Sequence, residues 1–266
     1  MQKIHLYFLA VISLSFLLVG CGQKEDDQEI TKTGNTPDHI LNNYQLVWQD
    51  EFEGQQVDES KWNYRAEGST RHYAKVSRET IETDGEGNVL IKVLQDEEGN
   101  YFVGQLGTEG IFETRYGYFE CRARMNDEIG PHVAFWLQSP EINKVGDPAT
   151  YGTEIDIFEY HRKTPGMVHH NLHWDGYGEE HKNEGVKLPI EGIDEGFHTF
   201  GLEWTRDEYI FYVNGQETWR TDTAVSQREE YMILSTELTG FGGEPQKGNF
   251  PDEIAFDFVR VFKKKN

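Results

Sequence analysis

Basic residues are scarce in this chain: 25 Lys and Arg stand against 47 Asp and Glu, a net charge of −22. A surface that acidic repels phosphate backbones and anionic headgroups, so it argues against nucleic acid or a bare membrane as partner. It also weighs against heavily sulfated polymers, unless a local basic patch overrides the average. Cysteine is scarcer still, with only Cys21 and Cys121 among 266 residues. If Cys21 is spent in processing, no internal disulfide can form, and stability must come from a large core. Cys121 alternates with Phe119, Ala123 and Met125. It therefore reads as a small hydrophobe on a buried face rather than as a nucleophile. A sustained helical period is missing throughout, which excludes bundles and alternating strand–helix folds. Residues 221–228 are the one stretch that reads as a short helix.

The only long apolar run lies at the start. Lys3 supplies a positive charge, and residues 6–19 are apolar but short for a membrane span. The run ends in Leu18-Val19-Gly20-Cys21, which resembles the lipobox of bacterial lipoproteins. That resemblance implies a signal peptide over residues 1–20, a lipid on Cys21, and an outer-membrane location in the cell envelope, with membrane contact through that lipid alone. An ordinary secretory signal and an uncleaved anchor are the alternatives. Residues 21–43 are polar and acidic and read as a flexible tether.

From Tyr44 to the end the pattern is one of strands and turns. Residues 88–93 alternate after Asp84-Gly85-Glu86-Gly87. Residues 117–125 place Phe119, Cys121, Ala123 and Met125 inward and Tyr118, Glu120, Arg122 and Arg124 outward. In 133–138, Val133, Phe135 and Leu137 share one face, and Ala134, Trp136 and Gln138 the other. Asn214-Gly215 and Gly242-Gly243 supply tight turns. About a dozen such strands, with neither repeat nor second domain, predict a single all-β domain over residues 44–266. It should be a two-layered antiparallel sandwich, and we expect a monomer.

Against that background the segment Gly152-Thr153-Glu154-Ile155-Asp156-Ile157-Phe158-Glu159-Tyr160 stands out. Its aromatic and β-branched content reads as a strand, with Glu154 and Asp156 on one face and Ile155 and Ile157 toward the core. Glu159 has the wrong parity to join them, unless a β-bulge near Ile157-Phe158 resets the alternation. With the bulge, the two glutamate Cα atoms lie roughly 13 Å apart and their carboxyls roughly 5–6 Å apart. That is near the ~5–5.5 Å at which one carboxylate attacks a sugar while the other protonates the leaving oxygen. The plainer alternative is a solvated edge strand whose acids confer solubility.

Five pieces of the chain, in order, resemble glycoside hydrolase family 16. They are the carboxylate strand, the 116–125 strand, Ala134-Phe135-Trp136, His198 to Trp204 with Tyr212 to Gly215, and the closing Phe256-Asp257-Phe258-Val259-Arg260-Val261. The resemblance implies a concanavalin A-like β-jelly roll with a substrate cleft across its concave sheet. The family's bulged motif, Glu-x-Asp-x-x-Glu, would make Glu154 the nucleophile, Asp156 the assisting carboxylate and Glu159 the acid/base, with no cofactor required for catalysis. Asp257 matches a position that holds structural calcium in many members, the alternative being a strand-end Asp bonded to backbone. Glu120, Arg122 and Arg124 read as a salt-bridged concave face without catalytic role.

For the cleft, parity makes Trp136 a stacking platform. His169, Asn171 and His173 share a face of the next strand; they read as hydrogen-bonding groups for sugar hydroxyls, since a zinc site lacks a further ligand. Trp174 has the opposite parity and reaches the cleft only if the strand ends first. Trp62 reads equally as a rim platform or a packed loop residue. Three departures bear on the substrate. His132-Val133 stands where the family's β-glucanases carry Trp-Pro, Ser69-Thr70-Arg71-His72-Tyr73 replaces an expected Asn-x-Glu pattern, and His173-Trp174-Asp175-Gly176-Tyr177-Gly178 differs from their usual form. The expected activity is retaining hydrolysis of a β-linked polysaccharide, a β-1,3- or β-1,3/1,4-glucan first. An endo-galactanase would be favoured by a basic cluster in the cleft (Arg65, Arg71, Arg78 and Arg115 being candidates), and a non-catalytic glycan-binding lipoprotein ranks below both.

Overall fold

The computed structural model of the protein describes residues 34–265; the lipobox, Cys21 and the first part of the tether lie outside them. Two sheets form a sandwich. One has eight strands and runs, from edge to edge, through Lys182–Pro189, Met167–Trp174, Glu154–Tyr160, His132–Gln138, Glu230–Glu237, Gln105–Gly107 and Asn63–Tyr64, with Glu113–Thr114 beside Glu230–Glu237. The other has eleven strands centred on Gly117–Arg124 and Asp252–Lys264. Pairing is antiparallel except between Ala74–Val76 and Tyr101–Val103.

The core between the sheets is built by the alternation that the sequence displays. Phe119, Cys121 and Ala123 from one layer meet Val133, Phe135 and Leu137 from the other, all fully buried. Burial pushes the Cys121 thiol well above its ordinary range, consistent with a packing role. Phe158 stacks on Phe200 with ring centroids 4.0 Å apart, pinning the carboxylate strand to the opposite sheet.

Several expectations are corrected here. Residues 221–228 form no helix; the chain leaves the Gln216–Thr221 strand through turns. The folded unit also begins ahead of Tyr44. A short helix, Asp38–Asn43, buries Ile40 against Tyr44, Tyr118, Ile210, Tyr212 and Phe262, and Thr36 donates to Glu120 at 2.8 Å. Only the part of the tether before residue 34 remains outside the description. Glu120, Arg122 and Arg124 lie in the sheet remote from the cleft, where Arg122 pairs with Asp257 and Arg124 with Glu253. Asp257 is therefore neutralised by a guanidinium. A calcium site needs several oxygen ligands converging, and these residues do not fit one.

Trp62 is no rim platform. It is fully buried between Trp48 and Phe52, and its indole N–H donates to Asp50 Oδ2 at 2.8 Å. Trp174 closes the strand Met167–Trp174, so it keeps its parity and packs against the core.

The turn into the carboxylate strand is tightly specified. Gly152 has φ of 87°, and a Cβ there would strike Ser139 and Glu230. Glu230 is buried and accepts from the Thr153 N–H at 3.0 Å. Burial pushes its carboxyl up to about 8.

Two predictions follow from this packing. Trp62→Ala should lose about 3–5 kcal/mol of stability in urea denaturation, whereas a rim tryptophan would leave stability unchanged. The unfolded Glu230 carboxyl ionises near 4.5 but the folded one near 8, so across that window the unfolded chain has already released a proton that the folded chain still holds. Stability contributed by Glu230 must therefore fall as pH rises from about 4.5 to about 8. Glu230→Gln should flatten that part of the melting-temperature profile; a profile parallel to wild type would refute it.

Candidate active site

The carboxylate strand carries its bulge at Ile157. Phe135 pairs with Phe158 but Trp136 pairs with Asp156, so Ile157 has no partner on that side. Adjacent residues on a regular strand face opposite ways; here Ile157 and Phe158 are both fully buried in the core. Asp156 and Glu159 consequently share the other face with Glu154, and all three line one cavity of about 520 Å³. The free Ile157 carbonyl is taken up by His170 Nδ1 at 2.7 Å, whose other nitrogen meets Thr218 Oγ1 at 3.0 Å. Burial holds His170 down to about 4, so it stays neutral and donates from Nδ1.

Each acid has its own surroundings. Glu154 Oε2 accepts from Gln138 Nε2 at 3.0 Å and from the Tyr177 hydroxyl. Gln138 is held in turn by Tyr231 at 2.6 Å and by Arg65 at 2.9 Å. Asp156 is buried, with His173 Nε2 at 3.4 Å from its Oδ2. Glu154, Asp156 and His173 each bring one atom within 4.8 Å of the others. Glu159 meets His132 Nε2 at 2.7 Å through Oε1 and accepts from Asn171 through Oε2. Asn171 fits because its cross-strand partner is Gly185, where any Cβ would overlap the amide.

The electrostatics follow from burial and from the charge of His132 beside Glu159. Burial, reinforced by the neighbouring acids, pushes Glu154 up to about 7 and Asp156 well above the carboxylate range. Burial pushes Glu159 the same way, but the charge of His132 and the hydrogen bonds from His132 and Asn171 outweigh it, and Glu159 ends below its usual value. The three acids form one coupled set. Burial thus favours the protonated forms of Glu154 and Asp156, and the His132 contact favours the ionised form of Glu159.

The cleft wall is only partly the one foreseen. Trp136 lines the cavity but is 7% exposed; its N–H donates to Ser235 Oγ at 3.0 Å, and the Arg65 guanidinium lies 5.1 Å over its ring. His173 and Asn171 sit among the acids. His169 turns instead toward His161 and Phe241, with ring centroids 5.2 Å away in each case. Of the candidate arginines, Arg65 and Arg71 line the cavity, and Arg71 pairs with Glu237 at 3.1 Å. Arg78 stacks on Tyr64 and pairs with Glu59, and Arg115 donates to the Gln227 carbonyl; neither lines the cavity. Sequence reasoning missed Tyr177, Gln138 and Glu237 as cleft groups. Gln138 had a signal, sharing the parity of Trp136; Tyr177 comes from an irregular loop, where the one signal was that residues 173–178 differ from the usual form of the family's β-glucanases.

Comparison with known proteins agrees with this geometry. Residues 69–241 match the sequence profile of "Glycosyl hydrolases family 16". The chain is 26% identical to the beta-glucanase of Rhodothermus marinus over 93% of its own length and 92% of that protein. It is 25% identical to the glucan endo-1,3-beta-glucosidase A1 of Niallia circulans over 90% of its own length, but spans only 41% of that longer protein. The crystal structure of a laminarinase from Flavobacterium sp. UMI-01 superposes with a TM-score of 0.71 at 26% identity, covering 82% of this chain and 100% of that one. With the jelly-roll sandwich, the bulged carboxylate strand and the profile match in agreement, the chain belongs to family 16 of the glycosyl hydrolases.

Proposed function

We propose that the protein is a retaining endo-β-glycosidase acting on a neutral β-1,3- or mixed β-1,3/1,4-glucan. The observation that carries this reading is the bulge at Ile157, which turns Glu154 and Glu159 into one cavity on either side of Asp156. In the first step Glu154 attacks the anomeric carbon while Glu159 protonates the departing oxygen. In the second, Glu159 takes a proton from water, which releases the sugar from Glu154. The Gln138 and Tyr177 hydrogen bonds favour the ionised form of Glu154, which supports its role as the attacking group. Asp156 lines the same cavity between the two, with His173 Nε2 at 3.4 Å from its Oδ2.

Expulsion of water by the sugar strengthens the hydrogen bonds that hold Glu154 and Glu159.

A neutral glucan is favoured because the cleft cations are already committed: Arg65 to Gln105 and Gln138, Arg71 to Glu237. An endo-galactanase is the second reading, supported by the presence of those same two arginines in the wall. A non-catalytic glycan binder is disfavoured by retention of all three carboxylates. We further propose that the protein is exported and tethered to the outer membrane by a lipid on Cys21.

Glu154→Ala and Glu159→Ala should each abolish oligosaccharide release from laminarin, lichenan, agarose or carrageenan while leaving the circular dichroism spectrum unchanged. Full activity in either variant would overturn the assignment. Early products followed by NMR should be β-anomers; an initial α-anomer would exclude double displacement. Cys21→Ser should move the protein from the membrane fraction to the soluble fraction, and unchanged fractionation would refute the lipid anchor.

A further inference from the structure

We propose that His132 is the proton-holding partner of Glu159: one mobile proton is shared between its imidazole and the carboxyl, leaves through Glu159 to the departing sugar oxygen, and returns from water. The proposal rests on the reading of Glu159 as the acid/base. His132 opens the strand His132–Gln138 and places Nε2 at 2.7 Å from Glu159 Oε1, both side chains being largely buried. Neither ring nitrogen of His132 meets hydrogen-bond geometry as placed, so the Nε2–Oε1 contact is an ion pair that a small rotation of the ring must align before a proton can pass. Asn171 donates to the other oxygen, Oε2, which leaves Oε1 as the place for a mobile proton. Phe241 packs on the His132 ring at a near right angle, centroids 5.0 Å apart and planes at 85°.

The surroundings single out this histidine as the cation. Glu159 and Glu154 face it from its neighbouring strand, with Asp156 between them; Glu237 faces it from the strand on the other side, where His132 and Glu237 are register partners. Arg71 holds Glu237, and His72 lines the cavity beside it. His161, His169 and His173 surround the same acids, with Lys187 behind His169. Burial pushes all three down, His161 to about 4, so they remain neutral. His132 moves the opposite way: burial alone would lower it, but the charge of Glu159 raises it above the ordinary imidazole value.

A fixed cation at this place would work against the first step, because it would hold the acid ionised when it must donate. Arginine or lysine would do that; an imidazole can surrender its proton. In the first step the C1–O bond breaks with its electron pair going to the departing oxygen, which takes the proton from Glu159, while Glu154 bonds to C1. The pair is left as neutral His132 and ionised Glu159. In the second step water bonds to C1, the electrons of the C1–Glu154 bond return to Glu154, and the water proton is collected by Glu159 and settles on the pair.

Two measurements test this. In an NMR titration of the imidazole carbons, with His132 assigned by the signal missing from His132→Gln, wild-type His132 should titrate above about 6.5, and in Glu159→Gln it should fall by about one pH unit or more. An unmoved midpoint would overturn the pair, whatever the substrate. On whichever glycan the wild type cleaves, His132→Gln should shift the basic limb of kcat/KM down by about one pH unit, since a lone carboxyl releases its proton earlier than the pair. It should slow cleavage of the glycan by roughly 100-fold but affect far less an aryl glycoside whose leaving group needs no acid. An unmoved limb, or equal losses on both substrates, would reduce His132 to a structural residue. Failure of the wild type to cleave any glycan would count against the glycosidase reading alone, with the NMR midpoint still deciding the pair.

Discussion

One inserted residue governs this site. Removing the bulge at Ile157 from the strand Glu154–Tyr160 would turn Glu159 into the core and Phe158 out into the cleft. Burying an unpaired carboxylate costs several kcal/mol, and exposing Phe158 forfeits about 2–3 kcal/mol of burial in addition to its stacking on Phe200. The hydrophobic demand that selects the register therefore also selects the catalytic geometry. His170 completes the device by bonding the carbonyl that the bulge leaves free. Gly152 before the strand and Gly185 across from Asn171 make the room that the side chains need.

The second constraint is electrostatic. A chain with so large an excess of acid gathers Glu154, Asp156, Glu159 and Glu237 around one cavity. Hydrogen-bond donors and two arginines are spent on keeping them apart in character. Tyr177 and Gln138 serve Glu154, Asn171 and His132 serve Glu159, and Arg71 serves Glu237. Identical side chains thus acquire different proton affinities from their neighbours, the condition for dividing nucleophile from acid within one cleft.

Much of this was legible in the sequence because strands obey a period of two. The sandwich, the inward set Phe119, Cys121 and Ala123, the outward set Ala134, Trp136 and Gln138, and the need for a bulge all follow from parity. Parity fails where the chain is irregular. Trp62 precedes a two-residue strand and sinks into the core because Asp50 satisfies its indole N–H. Tyr177 reaches Glu154 from a loop with no period at all. The Lys182–Pro189 strand went unread because it is a polar edge strand whose lysines are exposed to solvent. Parity is also silent about which sheet a strand joins. It placed Glu120, Arg122 and Arg124 outward correctly, yet their strand belongs to the sheet away from the cleft.

The departure at His132 connects these threads. Where the resemblance leads one to expect tryptophan, an apolar wall that a sugar could touch, this chain carries a titratable group against Glu159. Such an exchange alters the proton inventory of the cleft rather than its shape. With a neutral wall, Glu159 would draw its proton affinity from burial and from Glu154 alone, and the acids would share their protons among themselves. With imidazole in place, a positive charge enters the set and holds the Glu159 carboxyl below its usual range, while burial keeps Glu154 and Asp156 raised. On the proposed role of Glu159, this pair must come apart electrically during turnover. For that reason the group at this position has to be one whose charge can be given up.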